Sequence, residues 1–254
     1  MQISADRLEN GPSPTPAPRR GRGTALVRGV AGTLGPPLLL FLAARTFLVN
    51  AFVVPSPSME PTLQTGDYIL ANPSVFGARL PFSEKRLPAF RDPRVGEVIV
   101  YRPSFNDPPI DMAKRIVAGP GDTVAMVSGI LVRNRVKPRE PYAIRRGAPD
   151  EPMRLEGPLG QGWHLPALPS NADRTGYRPT RDNWGPLVVP AGQYFVLGDN
   201  REDSVDSRYL GFVRRDEILG SVWIIYFSSA GRMRDGISEV FSRADWSRVL
   251  KRVH

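Results

Sequence analysis

The stretch Pro55-Ser56-Pro57-Ser58-Met59-Glu60-Pro61-Thr62-Leu63 separates an apolar segment from a strand-rich one. Its three prolines fix the backbone φ angle at three points and disfavour a helix, which predicts a rigid, extended segment. An apolar run from Gly29 to Val54 leads directly into it. We therefore expect Ser58 to be a nucleophile presented where the chain leaves a membrane.

Few residue types are available for catalysis. The 254 residues include no cysteine and two histidines, His164 and His254. This composition excludes a thiol nucleophile, disulfides and a His-rich metal site. His164 lies in a Pro/Gly-rich stretch, and neither histidine is placed like the base of a catalytic triad. We expect no metal site.

The formal net charge of +9 points to an anionic partner. Anionic lipid headgroups attract well-placed Lys or Arg side chains by about 1 kcal/mol each. Nucleic acid is the other usual partner of so basic a chain. The sequence contains no zinc finger, RRM-like aromatic motif or recognition-helix pattern. Lipid is therefore the expected partner, and nucleic acid is not.

The N-terminal part is expected to cross a membrane once. Residues 1–28 form a basic, Pro-rich tail, and residues 29–54 carry a single charge, Arg45. About 20 helical residues span a bilayer core. The positive-inside rule places the tail in the cytoplasm and the remaining chain outside. Two alternatives stay open: a cleaved signal peptide with Leu38 to Ala44 as its core, and a buried core helix.

After Gly66 the pattern changes to short β-branched runs separated by Gly, Pro and Asp, which predicts an antiparallel β domain over residues 55–231. The expected strands are Tyr68–Leu70, Gly96–Tyr101, Arg115–Ala118, Thr123–Val127, Ile130–Val132, Gln193–Leu197 and Ile218–Phe227. Residues 138–190, rich in Pro, Gly and Arg, are expected to be a loop-rich insertion. Residues 232–254 have apolar side chains at roughly helical spacing and predict a basic amphipathic helix, docked on its own domain or on the membrane surface.

A serine nucleophile needs a base, and here only a carboxylate or a lysine is available. Of the four lysines, Lys85, Lys137 and Lys251 lie in charged surroundings. Lys114 opens an apolar run that is expected to be buried. Burial lowers the pKa of a lysine and makes it a general base near neutral pH. On residue types alone, a surface serine and a surface lysine remain the competing interpretation.

Three blocks resemble the signature blocks of bacterial type I signal peptidases (leader peptidases), a family of serine–lysine dyad peptidases. They are Ser58-Met59-Glu60-Pro61-Thr62-Leu63, then Lys114-Arg115-Ile116-Val117 with Gly119-Pro120-Gly121-Asp122, and Gly198-Asp199-Asn200-Arg201-Glu202-Asp203-Ser204-Val205-Asp206-Ser207-Arg208. The similarity runs from about Leu38 to the C-terminus and is weak over Pro138–Pro186. It implies a mostly β fold, with an antiparallel catalytic domain of the signal-peptidase type behind one transmembrane helix.

The resemblance also implies roles for single residues. Ser58 would attack the scissile carbonyl, and Lys114 would be the general base. The backbone N–H of Ser58 and the hydroxyl of Ser56 would hold the oxyanion. Ser204 would orient the lysine amine.

The same resemblance implies structural supports around the dyad. Asp206 would form ion pairs with Arg115 and Arg208. Asp199, in the Gly198-Asp199-Asn200 turn, belongs to the same supporting block. None of these four charged residues would act as an acid or a base.

The implied substrate is a secretory preprotein, cut after small residues and bound as an added strand. Residues matching the family's pocket lining are Phe52, Val54, Met59, Leu63, Ile69, Met112 and Ala113. Ala113 departs from the family, which usually has a larger aliphatic residue there. This difference predicts a wider pocket or a less shielded Lys114.

The resemblance thus implies a membrane-anchored serine endopeptidase of the cytoplasmic (inner) membrane that cleaves signal peptides on the extracytoplasmic, periplasmic side. Its partners would be secretory preproteins, anionic membrane lipid and the protein export machinery, without a cofactor. Two alternatives remain. One is a narrow-substrate processing peptidase of a pilus or conjugation system, and the other is an inactive, membrane-tethered binding module.

Overall fold

The computed structural model describes residues 32–38, 40–41, 49–78, 83, 85–104, 108–153, 161–230 and 237–254. The chain divides into two units, Met1–Leu42 and Ala43–His254. In the first unit, residues 32–38 and 40–41 are helical. Among the described residues, no helix is both long enough and apolar enough to cross a membrane. The predicted tail and part of the predicted transmembrane segment lie outside the described residues.

The predicted end of the transmembrane segment at Val54 is wrong. Residues Asn50–Val53 form a strand, β1, which pairs antiparallel with β2 (Asp67–Asn72). Phe52 lies opposite Ile69 and packs, like Val54, against the hydrophobic core of the sheet. The apolar character of these residues therefore reflects a half-buried strand, which alternates in burial along its length.

Eleven strands are present among the described residues. After β1 and β2 they are β3 (Val98–Tyr101), β4 (Met112–Ala118), β5 (Thr123–Val127), β6 (Ile130–Arg133), β7 (Trp184–Val188), β8 (Gln193–Leu197), β9 (Val213–Arg214), β10 (Ile218–Ser228) and β11 (Lys251–Arg252). A large sheet has the order β1-β2-β10-β3-β4-β8-β9, with β11 also paired to β10, and a small sheet has the order β6-β5-β7.

The pairings confirm the predicted mostly β, antiparallel class. Every strand pair in both sheets is antiparallel. The β5–β6 hairpin turns at Ser128 and Gly129, with φ angles of 47° and 76°. Positive φ at both central positions is the geometry that matches the twist of two-residue hairpins. The central strand β3 is buried at all four positions, as its unbroken apolar sequence predicts.

One hydrophobic cluster joins the two sheets. It contains Val124 and Met126 from β5, Val117 from β4 and Phe195 from β8. The ring of Trp184 on β7 stacks on Phe195, with centroids 5.1 Å apart. The described part of residues 138–190 has little regular structure: β7, the 3₁₀ turn Gln161–Trp163 and the short helix His164–Ala167. These aromatic contacts fix the insertion beside β8.

The predicted helix over residues 232–254 is also wrong in the part that the structure describes. A helix covers only Ile237–Ser242, and β11 pairs with β10. Between them the carboxylate of Asp245 accepts the backbone N–H of Ser247 and starts a 3₁₀ turn. Such local capping bonds compete with a continuous helix. Arg248 then donates two hydrogen bonds to the buried carboxylate of Asp67, at 2.6 and 2.9 Å.

The Arg248–Asp67 pair gives a test of what holds this C-terminal segment. We expect Arg248→Met to lower the free energy of unfolding by about 3–5 kcal/mol, because a buried carboxylate loses its charged partner. The matched control is Arg252→Met on the exposed strand β11, with an expected change within about 0.5 kcal/mol. Urea denaturation of both variants measures the difference. Equal effects would contradict the role of the pair.

Candidate active site

The predicted nucleophile lies on a short turn that follows β1. Residues Pro57–Met59 form a 3₁₀ turn, in which the backbone N–H of Glu60 donates to the carbonyl of Pro57 at 3.0 Å. Proline suits the first position of such a turn, because its missing N–H is not needed there. Ser58 is 7 % exposed. Its hydroxyl is therefore held on a fixed backbone at the edge of the core.

Lys114 meets this serine from β4. Its Nζ donates to Ser58 Oγ at 2.7 Å, although the two residues are 56 positions apart. Lys114 is 4 % exposed and lies opposite Ile99 on β3. Burial lowers its pKa to about 8, and the nearby carboxylate of Asp206 opposes the shift only in part. The structure thus brings together a serine and a lysine that readily loses its proton.

A second hydroxyl lies beside the pair. Ser56 Oγ is 3.2 Å from Ser58 Oγ. Pro57 between the two serines has no N–H and cannot donate, whereas the Ser56 hydroxyl and the Ser58 backbone N–H can. The arrangement can offer two donors to an oxygen that develops negative charge near Ser58.

A buried ion pair lies next to the segment that carries Ser58 and is hydrogen-bonded to it. Arg115 donates to both carboxylate oxygens of Asp199, at 2.8 and 2.7 Å, and both side chains are at most 1 % exposed. Thr62 Oγ1, four residues after the nucleophile, donates to the same carboxylate at 2.6 Å. Arg115 also donates to the carbonyls of Gly96 and His254. This carboxylate therefore joins β4 to the nucleophile segment.

The predicted ion pair between Asp206 and Arg115 is wrong, whereas the Asp206–Arg208 pair is present. Arg208 donates to Asp206 at 2.8 and 2.9 Å, and both side chains are fully buried. Burial would raise the pKa of Asp206, but Arg208 and hydrogen bonds from Gly198 and Ser204 lower it overall. Arg115 cannot also serve Asp206, because its guanidinium is already used by Asp199 and two carbonyls.

Ser204 lies next to the dyad, in a different hydrogen bond from the expected one. Its hydroxyl donates to Asp206 at 2.7 Å. Among the described residues, no hydrogen bond joins Ser204 to Lys114, so its lysine-orienting role stays a prediction. Gly198 marks the close approach: a Cβ there would lie 2.2 Å from Ser204 Oγ and 2.5 Å from the Ser58 carbonyl oxygen. The third block can therefore reach the nucleophile only through a glycine.

Asn200 also contacts the turn that carries Ser58, although the sequence predicts no role for it. Its backbone N–H donates to the Ser58 carbonyl at 3.1 Å, and its side-chain Nδ2 donates to the Pro57 carbonyl at 3.3 Å. The signal in the sequence is weak. Asparagine in a Gly-Asp-Asn turn often bonds to nearby backbone, but nothing in the pattern indicates which backbone.

A cavity of about 450 Å³ opens beside Ser58 and Lys114. Six of the seven predicted pocket residues line it: Phe52, Val54, Met59, Ile69, Met112 and Ala113. The seventh, Leu63, is fully buried in the core cluster and does not line the cavity. Its backbone N–H bonds to Met59, which turns the chain inward at this point.

Two strand edges border this cavity. β8 pairs with β4 from Arg115 onward, so within the described part of the chain residues Met112–Lys114 have a partner on one side, β3. Among the strands that the structure describes, β1 ends the large sheet and pairs only with β2. Unpaired backbone groups on both borders are able to bind an extended chain.

His164 lies outside this arrangement, as expected. It is buried, with Nδ1 2.8 Å from the Tyr177 hydroxyl and Nε2 3.1 Å from the Arg208 carbonyl. Burial lowers its pKa to about 4. A neutral, doubly hydrogen-bonded histidine of this kind supports the packing of the insertion.

Comparisons with known proteins agree with the three blocks. Residues 27–227 match the family described as "Signal peptidase, peptidase S26". Signal peptidase I of Pseudomonas aeruginosa is 37% identical over 211 residues, which cover 76% of this chain and 70% of that protein. Signal peptidase I of Aquifex aeolicus is 32% identical over 219 residues, with 75% and 80% covered. A solved signal peptidase I from Enterococcus faecalis is 29% identical, covers 52% of this chain and 98% of its own, and has a TM-score of 0.34.

Gly198 provides a test of the close approach at this site. We expect Gly198→Ala to reduce the labelling of Ser58 by a serine-reactive phosphonate at least tenfold, because the added Cβ displaces Ser204 and the nucleophile backbone. The matched control is Gly119→Ala, where the nearest atom to the added Cβ is 3.9 Å away. Mass spectrometry of the labelled serine measures the rate. Equal labelling of both variants would show that the turn tolerates the displacement.

Proposed function

Because the chain belongs to the signal peptidase I family, peptidase S26, we propose that it removes signal peptides from secreted preproteins with a Ser58–Lys114 dyad while anchored in a membrane. The resemblance found in the sequence and the serine-peptidase class are confirmed by this membership. The observation that carries the proposed mechanism is the 2.7 Å contact between the Lys114 amine and the Ser58 hydroxyl, inside the protein.

The dyad performs acyl transfer in two stages. Neutral Lys114 takes the proton of Ser58 as Oγ attacks the scissile carbonyl, and the ammonium then protonates the leaving amine. In the second stage the lysine activates a water molecule, which hydrolyses the acyl-enzyme. The Ser58 N–H and the Ser56 hydroxyl hold the oxyanion, and losing one such donor typically costs about 10²–10³ in rate.

The cleft supports a substrate bound as a strand. Both β1 and the segment Ile110–Lys114 run toward Ser58 and Lys114, and each has an edge beside the cavity that no described strand pairs with. A signal peptide laid between them adds main-chain hydrogen bonds on each side. The C-terminal residues of the signal peptide then lie next to Ser58. The apolar lining favours small side chains before the cut, because larger ones would clash with it.

The proposed location is the cytoplasmic (inner) membrane, with one span and the catalytic domain on the extracytoplasmic side. The support is the apolar run that precedes β1, which supplies about 20 residues, together with the basic tail before it. The net charge of +9 favours anionic lipid near the domain. Preproteins would reach the cleft from the protein export machinery.

A second candidate is a narrow-substrate processing peptidase, such as one serving a pilus or conjugation system. The observation that favours it is Ala113, a small residue that lines the cleft beside Lys114. A panel of preproteins distinguishes the two candidates. Cleavage of many unrelated preproteins supports the general peptidase, and cleavage of one class alone supports the narrow one.

The dyad is tested with a model preprotein in detergent. We expect Ser58→Ala and Lys114→Ala to slow cleavage by at least about 10³-fold, because each removes one half of the proton-transfer pair. Lys137→Ala, at an exposed lysine, is the matched control and should cleave like the wild type. Sequencing of the new N-terminus should place the cut after a small residue. A Lys114→Ala enzyme that cleaves at a comparable rate would refute the proposed base.

The pH dependence tests the lowered lysine pKa. Only the neutral amine accepts the serine proton, so kcat should rise about tenfold per pH unit below a pKa of about 8 and level off above it. Ser56→Ala should lower kcat by about 10²–10³ and leave the limb where it is, because it removes an oxyanion donor and not the base. A limb near the ordinary lysine pKa of about 10.4 would contradict a buried base.

A further inference from the structure

Asn200 contacts the nucleophile turn twice, through its backbone and through its side chain. The backbone N–H donates to the Ser58 carbonyl, and Nδ2 donates to the Pro57 carbonyl. The side-chain partner is a carbonyl oxygen, so the nitrogen of the amide must face it. Asn200 is fully buried. One residue thus binds two consecutive carbonyls of the turn that carries the nucleophile.

The Pro57 carbonyl is part of the peptide plane that contains the Ser58 N–H. A trans peptide is planar, and its C=O and N–H point in opposite directions. A hydrogen bond that fixes the carbonyl of Pro57 therefore also fixes the direction of the Ser58 N–H. This N–H is the backbone donor of the proposed oxyanion site, so its direction bears directly on catalysis.

The same bond strengthens that donor. Hydrogen bonds in a chain polarise one another and strengthen each bond by about 10–30%. When Nδ2 of Asn200 binds the Pro57 oxygen, the peptide becomes more polar and its N–H more positive. The effect is largest in a dry site, and both Asn200 and Ser58 are buried.

The oxygen of the same amide adds no hydrogen bond to the described part of the fold. Asn200 Oδ1 is buried and has no hydrogen-bond partner among the described residues. A buried acceptor without a partner costs about 1–3 kcal/mol. Only the nitrogen side of the amide is used, and it is used on the nucleophile turn.

We propose that Asn200 is a positioning residue that holds the Pro57–Ser58 peptide so that the Ser58 N–H points at the oxyanion. The inference rests on the proposed function of Ser58 as nucleophile. Asn200 itself does not touch the substrate. It acts through the peptide plane, and its contribution should appear when the carbonyl oxygen of the substrate becomes charged.

The experiment compares kcat, KM and inhibition by a peptide aldehyde in wild type, Asn200→Ala, Asn72→Ala and Ser58→Ala, with a model preprotein in detergent. Asn72 is the matched control, because its side chain also makes one bond to backbone, with Oδ1 accepting the Ser74 N–H, and it does not line the cavity. Ser58 Oγ attacks the aldehyde carbon to form a hemiacetal, and the aldehyde oxygen then occupies the oxyanion position. Thermal melting measures folding in each variant.

We expect Asn200→Ala to lower kcat about tenfold, the equivalent of one ordinary hydrogen bond, and to leave KM within about twofold. Aldehyde affinity should fall by the same factor as kcat/KM, because both depend on the oxyanion. The pH limb should stay in place, because the base is unchanged. Asn72→Ala should keep the wild-type kcat. If Asn200→Ala does not fold, Asn200→Leu fills the same volume and removes the same donor.

Three results would overturn the inference, and they are distinguishable. A folded Asn200 variant with wild-type kcat and aldehyde affinity, beside an inactive Ser58→Ala, removes the role of Asn200 and leaves the dyad in place. A Ser58→Ala enzyme that cleaves like the wild type removes the nucleophile, and the inference with it. A higher KM and a lower melting temperature, with kcat and aldehyde affinity unchanged, would indicate a merely structural residue and would also overturn the proposal.

Discussion

The buried ion pair between Arg115 and Asp199 is the interaction on which the site depends. Arg115, next to Lys114 on β4, binds Asp199 of the third block, and Thr62 from the segment that follows Ser58 donates to the same carboxylate. Removing one member of such a pair costs about 3–5 kcal/mol, because the other charge is left buried. The ring of Tyr142 covers the guanidinium at 3.9 Å, which keeps water from the pair. Stability and catalytic geometry are therefore carried by the same contact.

The low pKa of Lys114 follows from how these charges are arranged. Each buried carboxylate near the lysine has its own arginine: Asp199 has Arg115, and Asp206 has Arg208. A carboxylate already paired attracts a further ammonium only weakly, so burial remains the largest influence on Lys114 and its pKa falls. An unpaired carboxylate at either position would stabilise the ammonium form. The ion pairs thus allow a lysine to lie beside acidic residues and still have the lowered pKa that the proposed base requires.

The sequence predicts the strands and the dyad, because β-branched runs and motif residues are local signals. It does not predict which partner each charge takes. Arg115 was expected to pair with Asp206 and pairs with Asp199, since four charged residues in two blocks allow several pairings that differ only in three dimensions. The predicted transmembrane segment wrongly includes β1, because a half-buried strand and the end of a membrane span have similar compositions. The signal for Asn200 is weak, because its partners are backbone atoms that the sequence does not specify.

The three blocks reach one another through short polar contacts, and this explains how the chain accommodates a long insertion. The insertion contacts the third block on one side, where Ile144 exchanges backbone hydrogen bonds with Asp199 and Arg201. Glu140 adds an ion pair to Arg201. On its other side the block holds the nucleophile turn through Gly198 and Asn200. Changes within the loops of the insertion can therefore leave the dyad intact, whereas a shift of residues 198–201 must displace Ser58. This asymmetry locates the structural constraint in the turn and not in the length of the insertion.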